Sequence, residues 1–506
     1  MSTHEAFRSP PFNADSPRVV IIGAGMSGIL MGIKLKEAGI EDFTLFEKAD
    51  TVGGTWRENT YPGIACDVPS HHYCYSFEPN PDWSHRFSPG AEIHAYFERC
   101  AEKYGIMPHV RFNTTIKRMQ WVDDAWHIDT DRGGRSERVV ADIVVSAAGV
   151  LHHPAYPDIK GLDSFEGVTF HTARWNHDVD LTGKRVGIIG TGSTAAQIVP
   201  AIIDQVGTLG LFQRTAQWIH PLPDKEYAPL ARRLFRLFPR TMKWLYNFYY
   251  RALEKHFSEV VVGERDATGL NRRCRKNLEQ VTDPELRAKL TPDYQPGCKR
   301  MIFSSTFYPA MQKSNAELVT ERIECIEPKG IRTADGRLHE LDVLVLSTGF
   351  KADRFLRPVE VLGRDGVDLD EIWARGPHAY RSIGVPGLPN FFMLIGPHSP
   401  IGNLSLIAIS EWQADYIMQC IDKVRSEEVH LMPTREATDR LAAEMKEASR
   451  KTVWVSGCKS WYLDGDGNPA LYPWAPSRFY EEMRQAPDFC DYDVRQLDRK
   501  RLADAA

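Results

Sequence analysis

Two side chains of opposite charge stand at equivalent points of two similar stretches of this chain. Glu47 follows the run Gly23-Ala24-Gly25-Met26-Ser27-Gly28, and Arg214 follows Gly190-Thr191-Gly192-Ser193-Thr194-Ala195 at the same interval from the first glycine. A carboxylate at the tip of the second strand of a βαβ unit accepts hydrogen bonds from a ribose diol, whereas a guanidinium there pairs with a 2′-phosphate. The glycines let the backbone approach a pyrophosphate, and the helix that follows offers free N–H groups and the positive end of its dipole. Two dinucleotides that differ in charge are therefore expected.

A lone glycine loop turns up by chance, so the flanking elements carry the argument. An apolar strand precedes each loop (Val19 to Ile22, Arg185 to Ile189), and an apolar-periodic helix follows, marked by Ile29, Leu30 and Ile33 in the first unit and Ile198, Ala201 and Ile202 in the second. Each helix ends near a glycine, Gly39 or Gly207, and a second strand follows at Phe43 to Phe46 or Leu209 to Phe212. Beyond Glu47 and Lys48, the turn Gly53-Gly54-Thr55-Trp56 could pass close to a bulky cofactor. Ser347-Thr348-Gly349 and Gly396-Pro397 each end an apolar strand. A cofactor lying extended through a domain built from both ends of the chain suits FAD. The second loop suits NADPH, with Ser193 and Gln197 on its helix and Gln213, Thr215 and Lys299 beside Arg214. The bland alternatives are a structural βαβ unit and a solvated strand-end arginine.

Between the two units lies Phe165-Glu166-Gly167-Val168-Thr169-Phe170-His171-Thr172-Ala173-Arg174-Trp175. It resembles the F-x-G-x-x-x-H-x-x-x-W fingerprint of the type I Baeyer–Villiger monooxygenases. Tyr61-Pro62-Gly63, Cys66-Asp67, Cys298-Lys299-Arg300, Leu346 to Phe350 and Ser460-Trp461-Tyr462 look like further landmarks of that family. Asn176 departs from it, since Pro or Asp is usual there. Trp175 favours this branch over related flavin monooxygenases that oxidise sulfur or nitrogen.

The resemblance implies an NADPH-dependent flavin monooxygenase that inserts one oxygen atom from O2 beside a ketone carbonyl, giving an ester or lactone. It places a catalytic guanidinium at Arg300, where a cation that stays charged would stabilise an anionic C4a-peroxyflavin and the adduct it forms. Asp67 becomes the carboxylate that holds Arg300. His171 either ties the nucleotide domains together or is a satisfied interdomain histidine. Trp461, in the glycine-rich stretch Val455 to Pro469, either closes over the nicotinamide ribose or anchors a surface loop. The alternatives are a sulfur- or nitrogen-oxidising flavin monooxygenase and a non-catalytic binding protein on the same fold. A disulfide reductase is excluded, because Cys66 and Cys74 are not a closely spaced pair.

The rest of the chain bounds these readings. At 506 residues, with a net charge of −5 and no long single-sign run, nucleic acid is not an expected partner. No stretch approaches the roughly 18 apolar residues of a membrane span. Met1 to Pro17 reads as a polar arm rather than a signal peptide. Nine cysteines without a C-x-x-C pair suggest reduced thiols and a cytoplasmic setting, and none suggests a metal site. The expected fold is α/β, with two Rossmann-like domains. Residues 1–150 and 335–506 form the FAD domain, because the strand before Ser347 is expected to return to the first sheet. Residues 151–334 form the NADP domain, with hinges near Pro154 to Pro157 and Gly349-Phe350. An insertion over about 218–295 carries many aromatic and basic residues and is helical, broken at Pro239. It would wall a cavity for a small hydrophobic ketone, or present a basic amphipathic surface to lipid.

Overall fold

The computed structural model describes residues 12–400, 404–458, 463 and 469–497. In chain order its main elements are β1 (Val19–Ile22), α1 (Met26–Glu37), β2 (Phe43–Phe46), β3 (Val110–Arg111), β4 (Ile143–Ser146), β5 (Val168–His171), β6 (Arg185–Ile189), α2 (Ser193–Ile202), β7 (Thr208–Phe212), α3 (Pro229–Leu237), α4 (Pro239–Leu253), β8 (Ala316–Val319), β9 (Val343–Leu346), β10 (Phe391–Met393) and α5 (Leu406–Glu427). Both faces of each parallel sheet are covered, by helices and by small antiparallel sheets (Thr115–Val122, Ala125–Arg132 and Arg135–Ala141 on the first; Ile323–Glu327, Gly330–Thr333 and Leu338–Glu340 on the second), so the parallel strands read as unbroken apolar runs rather than alternating ones. Ile21, Leu45 and Val144 in the first sheet and Ile188 and Leu344 in the second are fully buried.

The two five-stranded parallel sheets are built alike. The first runs β10-β4-β1-β2-β3 and the second β8-β7-β6-β9-β5. Each glycine-loop strand lies between its βαβ partner and a strand that returns later: Val19 pairs with both Phe43 and Ile143, and Ile189 with both Phe212 and Leu346. The expectation that the strand before Ser347 returns to the first sheet is therefore corrected. β9 fills for β6 the place that β4 fills for β1, and each ends in a glycine of positive φ, Gly149 at 72° and Gly349 at 80°. The strand that does return to the first sheet is β10, before Gly396-Pro397. With it comes α5, where the Ser410 hydroxyl lies 2.8 Å from that of Ser27 on α1.

The two chain crossings between the sheets lie side by side. The Ala155 N–H donates to the Gly349 carbonyl at 2.9 Å, the Lys351 N–H donates to the His153 carbonyl at 2.9 Å, and the Thr348 hydroxyl donates to the Ala155 carbonyl at 2.5 Å.

Between the paired short strands Ile219–His220 and Ile302–Phe303 the chain forms α3, α4 and further helices at Thr268–Leu278 and Pro284–Lys289. Phe238 separates α3 from α4, and Pro239 opens α4, where a residue lacking an N–H and fixed in φ is best tolerated. The inner side of this pair packs on the first half of the molecule. Phe235 meets the ring of His71 at 4.5 Å and Tyr246 meets His72 at 4.6 Å, and both histidines are buried with no hydrogen bond to either ring nitrogen.

Burial pushes the His71 pKa down to about 4 and that of His72 down to about 3, from an ordinary 6.5. The unfolded chain therefore binds protons below pH 6.5 that the folded chain refuses. Each histidine contributes stability that is fully present above pH 6.5 and is lost as pH falls toward its folded pKa, at about 1.4 kcal/mol per pH unit. Denaturant unfolding followed from pH 7 to pH 4 will show this loss, and His72→Phe will flatten the slope; an unchanged slope would show that His72 ionises freely in the folded protein.

Candidate active site

Glu47, just past the end of β2, is buried and tied to the first glycine loop. Its Oε2 accepts the Ala24 N–H at 2.9 Å, its Oε1 accepts the Ala49 N–H at 3.0 Å, and Arg57 Nη1 lies 3.2 Å from the same oxygen. Bare backbone surrounds it. A Cβ on Gly23 would stand 2.9 Å from the Ala147 carbonyl oxygen, one on Gly28 2.0 Å from that of Gly23, and one on Gly54 3.0 Å from the Gly25 Cα. The Gly53-Gly54 turn thus lies directly against the loop, as a site for a cofactor pyrophosphate requires. Thr55 opens the short helix Thr55–Glu58, and the Trp56 indole donates to the Tyr73 hydroxyl at 3.1 Å. Lys48 pairs with Glu58 at 3.4 Å.

The second loop repeats the crossing, with Gly190 at φ 110° and its absent Cβ 2.3 Å from the Ser347 carbonyl oxygen. Gly192 faces open space ahead of Ser193, the first residue of α2. The Thr191 hydroxyl donates to the Thr215 carbonyl at 3.0 Å, which fixes the loop against the end of β7. Arg214 is exposed just beyond that end. Lys299 lies half-buried over the Tyr294 ring at 4.6 Å, and its pKa is lowered by burial, with the Arg214 charge adding to the effect and Asp293 opposing it. Two cations from distant parts of the chain therefore feel each other beside the second loop, the donor set that fits a 2′-phosphate. Gln213 is occupied elsewhere, donating to the Lys289 carbonyl at 2.7 Å.

The two loops are joined by the segment from Tyr61 to Asp67. Gly63 has φ 80°, and a Cβ there would stand 2.5 Å from the Gln197 carbonyl oxygen and 2.9 Å from the Ala201 Cβ on α2. Gln197 completes the contact, its Oε1 accepting the Tyr61 hydroxyl at 2.9 Å and its Nε2 donating to the Ala65 carbonyl at 2.9 Å. This side chain, expected to contact a cofactor, is engaged in joining the two halves. Burial raises the Tyr61 pKa to about 12 against the lowering effects of Thr194 and Arg300, so the phenol stays neutral. At the end of this segment Asp67 meets Arg300, with Nη2 donating to Oδ2 at 3.3 Å and both side chains partly open to solvent. Burial pushes the neighbouring Cys66 thiol well up, so no thiolate forms there.

The fingerprint residues surround the chain crossings. Gly167 leaves no room for a side chain between the Asp342 carbonyl and the Phe165 ring, and Trp175 packs edge-on against Phe170 at 4.9 Å. His171, at the end of β5 and paired in register with Leu346, is buried between Tyr156 and Phe350. Its Nδ1 accepts the Ala173 N–H at 3.1 Å, which puts the proton of the neutral ring on Nε2. Burial lowers its pKa, while the Gly349 backbone supports the charged form. Trp461 lies outside the described residues.

Sequence reasoning missed two features. Arg57, which reaches Glu47, carried no signal beyond its place after the Gly-Gly-Thr-Trp turn. The second is a disulfide between Cys298 and Cys458, 160 residues apart with Cα atoms 6.2 Å apart, which corrects the expectation of nine reduced thiols. Its one local hint is the repeated tripeptide Gly-Cys-Lys at 297–299 and 457–459. Thiol titration of the denatured, unreduced protein will find seven thiols, the number left free, and nine after reduction; nine before reduction would disprove the bond.

Residues 16–264 match the flavin-binding monooxygenase-like family. Over its length the chain is 47% identical to an uncharacterized monooxygenase of Mycobacterium tuberculosis, covering 95% of this chain and 96% of the relative. It is 41% identical to a Baeyer–Villiger monooxygenase of Streptomyces coelicolor, covering 94% and 92%. Among solved structures it resembles OTEMO in complex with FAD and NADP, with a TM-score of 0.85 and 28% identity over 95% of this chain and all of that one. With two matched dinucleotide folds joined through Tyr61 to Asp67, the chain belongs to the Baeyer–Villiger monooxygenases of the flavin-binding monooxygenase-like family.

Proposed function

We propose that this protein is an FAD- and NADPH-dependent monooxygenase that inserts one oxygen atom of O2 beside the carbonyl of a hydrophobic ketone, giving an ester or lactone. The observation that carries the reading is the Arg300–Asp67 pair, formed where the two glycine-loop halves meet. When bound, FAD would supply the activation of O2, from which the inserted oxygen atom comes. The residues of the chain bind, orient and stabilise. Glu47, fixed by two backbone N–H groups, presents its remaining acceptor capacity to the ribose of FAD, with the Gly23–Gly28 loop and Gly54 against the pyrophosphate.

On the NADPH side, Gly190, Thr191, Gly192 and Ser193 would cradle the pyrophosphate, and Arg214 and Lys299 the 2′-phosphate, whose charge relieves the repulsion between them. Arg300 stabilises the negative charge that grows on the ketone oxygen under attack. A guanidinium suits this task because it cannot lose its proton and its planar fork can hold two oxygens. Asp67 positions it without touching the reacting atoms. His171, buried and neutral at the paired crossings, packs the fingerprint segment between the rings of Tyr156 and Phe350. A cytoplasmic setting would suit the use of NADPH.

Two substitutions separate these roles. Arg300→Ala will lower ester formation on the order of 10²-fold or more while NADPH still reduces the flavin, scored as product mass against NADPH consumed. Near wild-type ester yield from Arg300→Ala and from Arg300→Lys would remove Arg300 from the chemistry. Arg214→Ala will raise the KM for NADPH by about tenfold or more, as loss of a hydrogen bond to a charged group does, and leave the KM for NADH unchanged. Equal effects on both coenzymes would show that Arg214 does not read the 2′-phosphate.

A further inference from the structure

The outer side of the α3–α4 pair has no role in the packing or chemistry described above. Among the described residues nine large apolar side chains are exposed, and six of them are here: Leu230, Leu234, Leu237, Phe238, Trp244 and Phe248. The leucines fall at intervals of four and three residues on one face of α3. Trp244 and Phe248, one turn apart on α4, stack with ring centres 5.4 Å apart. Exposed apolar residues gathered in this way mark a contact surface, whereas scattered ones need no explanation.

Charge narrows the choice of partner. From Pro229 to Leu253 the chain carries Arg232, Arg233, Arg236, Arg240, Lys243 and Arg251 and no Asp or Glu, within a protein whose net charge is −5. Arg236 pairs with Asp82, whereas Arg233, Arg240 and Lys243 are exposed and form no ion pair among the described residues. We propose that α3 and α4 dock this protein onto the surface of an anionic lipid bilayer, with the apolar side chains in the headgroup boundary and the basic ones on lipid phosphates.

A second copy of the chain fits this face poorly. A two-fold contact sets a patch against itself, which here would bring arginines onto arginines with no carboxylate in the segment to relieve them. Lipid phosphates have the opposite charge and also cover an apolar surface. Among the described residues no helix is long and apolar enough to cross a membrane, so the helices would lie in the plane of the interface. Trp244 is of the type enriched at that depth. The inner side of the same helices covers His71 and His72, a few residues beyond Asp67. Docking would therefore hold the proposed catalytic pair close to a phase in which a hydrophobic ketone concentrates.

The test is flotation of the full-length holoprotein with vesicles of phosphatidylcholine alone or mixed with phosphatidylglycerol. The wild type should float with the mixed vesicles, weakly with phosphatidylcholine alone, and less at high salt. Each basic residue near such a surface strengthens binding about fivefold, so Arg233→Glu with Arg240→Glu should lower the affinity for the mixed vesicles, read from a lipid titration, by about tenfold or more. Trp244→Ala with Phe248→Ala should also release the protein, with flavin content and turnover of a water-soluble ketone unchanged in both variants. Brominated lipid should quench part of the protein fluorescence, and Trp244→Phe should abolish that part. Failure of the wild type to float, or undiminished flotation of both double variants, would overturn the proposal. So would a concentration-dependent dimer dissolved by the same substitutions, which would make the face a self-interface. Binding to polyglutamate without binding to vesicles would also overturn it, pointing to an acidic polypeptide partner.

Discussion

The two nucleotide folds of this protein meet where there is no space for a side chain. Gly63, at φ 80°, lies so close to α2 that a methyl group would reach the Gln197 carbonyl. Helix α2 starts at the second glycine loop, so whatever fixes its distance from the Tyr61–Asp67 segment also fixes the distance between two cofactor sites. The Gln197 amide adds a hydrogen bond to each side of the approach. Asp67 ends the segment, and in this arrangement of the halves Arg300 reaches it at 3.3 Å. The pairing of the Arg300 guanidinium with Asp67 thus sits beside a steric constraint some residues away.

Electrostatics at the same junction separates neutral from charged groups. Tyr61 and Cys66 are buried deeply enough to stay protonated, and beside them Arg300 and Asp67 form a salt bridge partly open to solvent. Their attraction is screened by solvent, so its main effect is to set direction rather than to add stability. A guanidinium held by a partner that water can also reach is oriented yet still able to turn toward a substrate oxygen.

Much of this was legible in the sequence because the relevant signals are local. Gly23 to Glu47 and Gly190 to Arg214 each contain a strand, a turn, a helix and a charged tip within one short stretch, and the fingerprint from Phe165 to Trp175 lies between them. Relations between distant segments were harder to read. The apolar runs Ile143–Ser146 and Val343–Leu346 are both short, and both lead through small residues to a glycine, so nothing within Val343–Leu346 states which sheet it completes. Gln197 sits where a cofactor contact is expected on the helix, and only the approach of Gly63 turns it toward Tyr61 and Ala65. The Cys298–Cys458 bond depends on a separation that no spacing rule addresses.

Three consecutive residues make the Arg300 loop the most constrained part of the site. Cys298 is bonded to Cys458, in the segment that leads to Trp461; Lys299 lies near Arg214 and over Tyr294; Arg300 meets Asp67. Consecutive Cα atoms are 3.8 Å apart, so these three contacts start from one short stretch of backbone. A phosphate between Lys299 and Arg214 would lie one residue from Arg300, and the disulfide to Cys458 lies two residues from it. Three consecutive residues thus gather a disulfide to the C-terminal segment, a cation beside Arg214 and the guanidinium that meets Asp67.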